Sequence, residues 1–194
     1  MNFPGMTWQG ESPDDIELLG ELPQELVAML AEVNGFILYS GALHVRGASL
    51  TPDWHSLRNA CRGVGALYRI YDELTDTDIP FAQDQIGDQF LMREGRIYRL
   101  DAETGSVQAL CDSLSQFFAK VASDIEGFLN VGLEHKLEPG QLLLAFPPFV
   151  IDSGPKGASL KACPAEEVIR FHADFALKIR NIPDGGQIKF EVTN

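Results

Sequence analysis

The sequence is poor in cations. Lys and Arg number 15 against 28 Asp and Glu, for a formal net charge of −13 at pH 7. Phosphate backbones are gripped by clustered basic side chains, so nucleic acid is excluded as a partner class. Cysteine is scarce as well. Cys61, Cys111 and Cys163 are odd in number, far apart and in no metal-ligand pattern. They read as reduced thiols buried as small apolar groups, the usage expected in the cytosol. No basic segment followed by an apolar run opens the chain, so a signal peptide is not expected. The longest apolar run, residues 142–151, is too short for a bilayer and is interrupted by Pro147-Pro148. The expectation is a soluble, cytoplasmic protein with no membrane partner. Histidine is limited to His44, His55, His135 and His172. No HExxH occurs, and no two lie four apart or beside a Cys at ligand spacing, so no metal is expected. No Ser occupies a GxSxG elbow. Gly63-Val64-Gly65 lacks the third glycine of a dinucleotide loop and reads as a helix end. Neither a cofactor nor a catalytic residue is expected on these grounds.

What is present suffices for a core. The chain has 194 residues, 45% of them hydrophobic, with 12 Phe and 2 Trp. A domain of this length buries roughly 70% of the surface its unfolded chain exposes. The charge is uneven: residues 1–60 carry Glu11, Asp14, Asp15, Glu17, Glu21, Glu25, Glu32 and Asp53 against Arg46 and Arg58. A second acidic stretch, DELTDTD over 72–78, supplies Asp72, Glu73, Asp76 and Asp78. Such a surplus keeps a protein soluble and also attracts a basic macromolecule. These four carboxylates are the candidate partner-binding residues.

Residues 79–105 form the stretch around which the chain is organised. Short apolar runs (Ile79, Phe81, Ala82; Phe90, Leu91, Met92; Ile97, Tyr98, Leu100) alternate with turns built on Asp84, Gly87 and Glu94-Gly95, which predicts a β-meander. Before it, residues 1–11 read as an irregular arm anchored by Trp8. Ser12-Pro13 starts a short helix, and Leu22-Pro23 a second one, with Leu26, Val27 and Leu30 inward and Asn34-Gly35 at its exit. Residues 36–39 and 43–45 read as a hairpin. Pro52-Asp53 starts a helix carrying Trp54, Leu57 and Ala60. After the meander, Asp112-Ser113 caps one helix whose stripe runs Leu114, Phe117, Phe118, Val121, Ile125, Phe128 and Leu129. The tail offers strands at 141–145, 158–162 and 188–192, and a helix from Pro164 with Val168, Phe171, Phe175 and Ile179 inward. Runs of strands followed by helices indicate an α+β fold: a mostly antiparallel sheet of about six strands, with helices on one face and at the edges.

Two further groups carry titratable side chains in suggestive places. Asp84 and Asp88 flank Gly87 without the ligand series of a calcium loop, so they read as turn formers. His172 lies beside the apolar face of its helix and reads as a half-buried core histidine.

Three blocks resemble the SUKH superfamily of bacterial toxin-immunity proteins and fungal cell-wall-synthesis regulators. They are Leu22-Pro23 with the helix to Asn34-Gly35, Ile79-Pro80-Phe81-Ala82 followed by Gly87-Asp88, and the helical stretch 113–129. The resemblance covers roughly residues 12–130, with 131–194 expected as an extension packed on the same domain. It implies an architecture and no catalytic residue. For function it implies a non-enzymatic binding protein that covers a cognate toxin, often a nuclease. A regulatory scaffold or adaptor of the same fold is the alternative.

Overall fold

The computed structural model describes residues 3–151, 157–183 and 185–188. The meander is its centre. Strands β4 (Ile79–Asp84), β5 (Gln89–Arg93) and β6 (Arg96–Leu100) pair antiparallel in sequence order, with Ile79 opposite Met92 and Leu91 opposite Tyr98. Gly87 turns the first hairpin at φ 97° and Gly95 the second at φ 78°, a backbone region that side chains with a Cβ rarely enter. The hairpin of β2 (Phe36–Leu38) and β3 (Leu43–Val45) joins β4. Two strands that the sequence did not announce complete the sheet. They are β1 (Met6–Gln9), inside the expected irregular arm, and β7 (Val107–Cys111). The α+β sheet therefore has seven antiparallel strands in the order β1 to β7. An edge strand with only half its residues covered carries a weak apolar signal, which is why MTWQ and VQALC pass unnoticed.

One face of this sheet holds the main core. Phe36, Leu38, Leu43, Val45, Phe90, Met92 and Ile97 point there, against helix α2 (Gln24–Glu32) and helices α4 (Leu114–Ser123) and α5 (Ile125–Leu129). Phe117 is fully buried at its centre, edge-on to Phe81 with ring centroids 5.3 Å apart and 5.1 Å from Phe90. The expected single helix over 113–129 is two. Asp124 leaves helical geometry at φ −161°, and its carboxylate accepts from Gly127 N at 2.9 Å, ending α4 and capping α5 while the apolar stripe continues.

Helix starts shift from their expected places where a side chain is used elsewhere. Helix α1 (Ile16–Leu19) is capped by Asp15, not Ser12, because residues 14 and 15 are tied by their amides to Ala48 O. Helix α3 (Leu57–Arg62) starts at the Ser56 cap, leaving Trp54 in the preceding loop. Gly35, at φ 74°, takes the chain out of α2 as expected.

The opposite face, with Leu91, Tyr98 and Leu100, is covered by helix α6 (Ala165–Ile179) through Ala173 and Ala176. Helices thus lie on both faces, not on one, because the tail crosses over. The strands expected at 141–145 and 158–162 are β8 (Gln141–Phe146) and β9 (Ser159–Pro164), which form their own two-stranded sheet and share a small core with α6 around Leu142, Cys163 and Val168. Leu137 N donates to Ser40 O and Leu143 N to Gln85 O, both at 2.8 Å, and tie this tail to the main sheet. The strand expected at 188–192 falls largely outside the described residues.

Candidate functional site

The acidic loop was the sequence's candidate, and the structure separates its members. Asp72 and Glu73 are exposed and both meet the guanidinium of Arg180, just past the end of α6, at 2.7 Å for Asp72. Asp76 is exposed and has no partner among the described residues. Asp78 is different: its side chain is 2% exposed and takes Arg93 in two bonds, at 2.6 and 2.8 Å, and Thr75 N at 2.8 Å. Burial opposes its ionisation, but the Arg93 and Thr75 bonds outweigh that and hold the carboxyl below its ordinary range. Asp78 shapes the loop from within and is not part of the exposed face.

The acids of the first helices are mostly committed internally. Asp14 accepts from Leu50 N at 2.8 Å, Asp15 and Glu17 share Arg58, and Glu21 pairs with Arg62. The Arg58 bond is the main reason that the Asp15 carboxyl is held low. Asp15 is buried, whereas the more exposed pairs Arg58–Glu17 and Arg62–Glu21 contribute little.

Asp84 and Asp88 do form the turn. Asp84 accepts from Ile86 N and Asp88 N, both at 3.0 Å, and Asp88 accepts from Ala102 N at 2.8 Å. They also share one cation: Arg99 donates to Asp88 at 2.7 Å and reaches Asp84 at 3.4 Å. Burial, and for Asp84 the neighbouring Asp88 charge, pushes both carboxyls up despite Arg99. Two buried carboxyls around an arginine make a structural clamp on the hairpin. Glu103 acts similarly at a distance, gripping Phe149 N and Val150 N at 2.9 Å each and so presenting Phe146, Phe149 and Val150 at the surface.

The second sheet face carries a polar chain that sequence reasoning missed. Arg46, 3% exposed, donates to Pro80 O at 2.7 Å, to Gln83 Oε1 at 2.5 Å and to Gln89 Oε1 at 2.7 Å. Gln83 Nε2 faces His44 Nδ1 at 3.5 Å, His44 Nε2 faces His55 Nδ1 at 3.0 Å, and His55 Nε2 faces Asn34 O at 3.0 Å. Arginine only donates and a carbonyl only accepts, so the ends fix the proton order: both imidazoles are neutral with the proton on Nε2. Burial agrees, driving His44 well below its usual value and His55 down to about 4. Trp8 and Trp54 pack over these rings at centroid distances of 4.7–5.4 Å. Asn34 closes the system, its side chain bonding Glu11 O, Ser49 Oγ and Ala48 N. The sequence signal for this chain is slight: His44 and Arg46 alternate with Leu43 and Val45, and Gln83 and Gln89 flank the β4–β5 turn.

Chemically, the arrangement holds shape. The thiols of Cys61 and Cys111 are pushed up by burial, away from reactive thiolate. Among the described residues no group of three or more His, Cys, Asp or Glu is placed to hold a metal ion. A cavity of about 190 Å³ between the arm and α4 is lined by Phe3, Leu38, Tyr39, Phe118 and Val121, with no titratable carboxylate or imidazole in its wall. No described helix is long and apolar enough to cross a membrane. Comparison with protein-family models, curated proteins and solved structures gave no match. Fold and site define an acidic α+β domain whose inward polar groups, His172 apart, are engaged with one another or with the backbone.

Proposed function

We propose that this chain is a non-enzymatic binding domain that neutralises a cognate bacterial toxin domain, such as a nuclease, by covering its basic surface in the cytoplasm. The observation that carries this reading is the division of the carboxylates. Those inside (Asp78, Asp84, Asp88, Glu103) are bonded to arginines and backbone amides, whereas the excess behind the net charge of −13 lies outside. The exposed Asp72, Glu73 and Asp76 are the most favourable part of that surface, because the loop bearing them is braced from within by Asp78 and Arg93. Complementary charge of this kind raises encounter rates and selects partners. The order of the Leu22-Pro23, Ile79–Asp88 and 113–129 blocks, resembling the SUKH superfamily, supports the immunity role. The test is co-expression with the toxic product of a neighbouring gene. Restored growth, with a stable complex recovered from those cells, is the expected result. Unabated toxicity from every neighbouring product would refute the immunity role.

A further inference from the structure

His172, near the middle of α6, is 2% exposed, and neither of its ring nitrogens has a hydrogen-bond partner among the described residues. Its Nδ1 lies 3.3 Å from where a Cβ on Gly87 would stand, and Leu142 lies 3.6 Å from the same point. The imidazole is thus wedged where α6, β8 and the β4–β5 turn meet. That is the seam between the tail and the main sheet.

The tail has the makings of a separable unit. β8, β9 and α6 share their own small core. Among the described residues the unit is fastened to the rest by two backbone bonds to Ser40 and Gln85, the Glu103 grip on 149–150, the Arg180 pairs, the approach of Gly140 to Trp54 and of Leu137 to Gly41, and the packing of Ala173 and Ala176 with Leu67, Tyr71, Leu74, Leu91 and Leu100.

Among the described residues, no neighbouring group is placed to accept a hydrogen bond from a charged ring. Asp84 and Asp88 in the turn and Arg99 in β6 bond one another and backbone amides. Beyond β6, Glu103 is engaged with Phe149 and Val150, and the Tyr71 hydroxyl donates to Ala102 O. Cys163 in β9 lies on the apolar side of its hairpin, and on α6 itself Asp174 and Lys178 are exposed. Burial holds the ring down to about 4, outweighing Asp101, which acts in favour of the imidazolium.

We propose that the C-terminal unit is an acid-releasable cover on the second sheet face, and that protonation of His172 is what releases it. Near pH 7.5 the ring is neutral in both docked and released forms. As pH falls below 6.5 a released ring takes up a proton while the docked ring, titrating near 4, does not, so docking weakens. From those two values His172 alone raises the released population about 30-fold between pH 7.5 and 5, an upper bound, because Glu103, whose carboxyl burial pushes up where it grips 149–150, acts in the opposite sense. His44 and His55 respond in the same direction, but they belong to the sheet side, which allows the two effects to be separated.

Hydrogen exchange by mass spectrometry on the full chain, corrected for intrinsic rates at each pH, tests this. In the wild type, α6 and β8 should lose protection by several-fold, up to that bound, on going to pH 5 while β5 and β6 keep theirs. His172→Phe should keep α6 protected at both values, and His172→Leu serves the same purpose if the larger ring does not fit. Unchanged protection of wild-type α6, equal loss in the His172 variants, or simultaneous loss across β5 and β6 would each overturn the proposal.

Discussion

Replacing Arg99 by Met removes the one cation that two buried carboxylates share. The Asp84 side chain is 0% exposed, Asp88 8% and Arg99 22%. Breaking a buried pair by deleting one partner costs about 3–5 kcal/mol. Arg99 is partly solvated and the carboxylates keep their backbone amides, so the low end, about 3 kcal/mol, applies here. With a urea m-value of about 2 kcal/mol/M for a domain of this size, the midpoint should fall by about 1.5 M. The pH dependence follows from the direction of the shifts. Both carboxyls titrate above their unfolded value of 3.8, so the clamp favours the folded state most at acid pH and loses that contribution as pH rises through the folded values. Without Arg99 they rise further, so the deficit of the variant should be largest at pH 7 and shrink towards pH 5. Adding Asp84→Asn should recover about half of it, since a neutral amide no longer needs the cation. A loss under about 1 kcal/mol, or one that grows as pH falls, would refute the reasoning.

Asp78→Ala should cost about 2 kcal/mol in thermal or urea unfolding at pH 7, through Arg93 left without its partner and the lost Thr75 bond. Because its folded titration lies below 3.8, that contribution is present above this pH and fades below it, so the variant's deficit should narrow in strong acid. Glu103→Gln leaves one acceptor where two amides need one each, and chymotrypsin should cut after Phe149 faster in this variant than in the wild type.

The meander was legible because its turns need particular residues: Gly87 and Gly95 sit at positive φ, and Asp84 bonds the turn amides. The helix over 114–129 was legible as a stripe but not as two segments, since Asp124 interrupts the backbone without interrupting the periodicity. Edge strands β1 and β7 were hidden by half-exposed sequences, and the crossing of the tail to the second face depends on contacts between residues far apart in the chain, such as Leu143 with Gln85. At the candidate surface, alternation of charge could identify 72–78 as acidic but could not say that Asp78 turns inward to Arg93 while Asp76 turns out. Arg46 is the clearest case: a lone basic residue in an acidic stretch looks solvent-facing, yet it anchors the polar chain to Asn34.

The most direct measurement is the association rate of the purified chain with the basic toxin domain proposed as its partner, by stopped flow at low and physiological salt. Wild type, Asp72→Lys/Glu73→Lys/Asp76→Lys and Arg180→Ala should be compared. If the outer carboxylates engage a basic partner, the triple reversal slows association by at least about tenfold and flattens its salt dependence, while Arg180→Ala, which frees Asp72 and Glu73, speeds it. Equal rates and equal salt slopes for all three proteins would contradict the account.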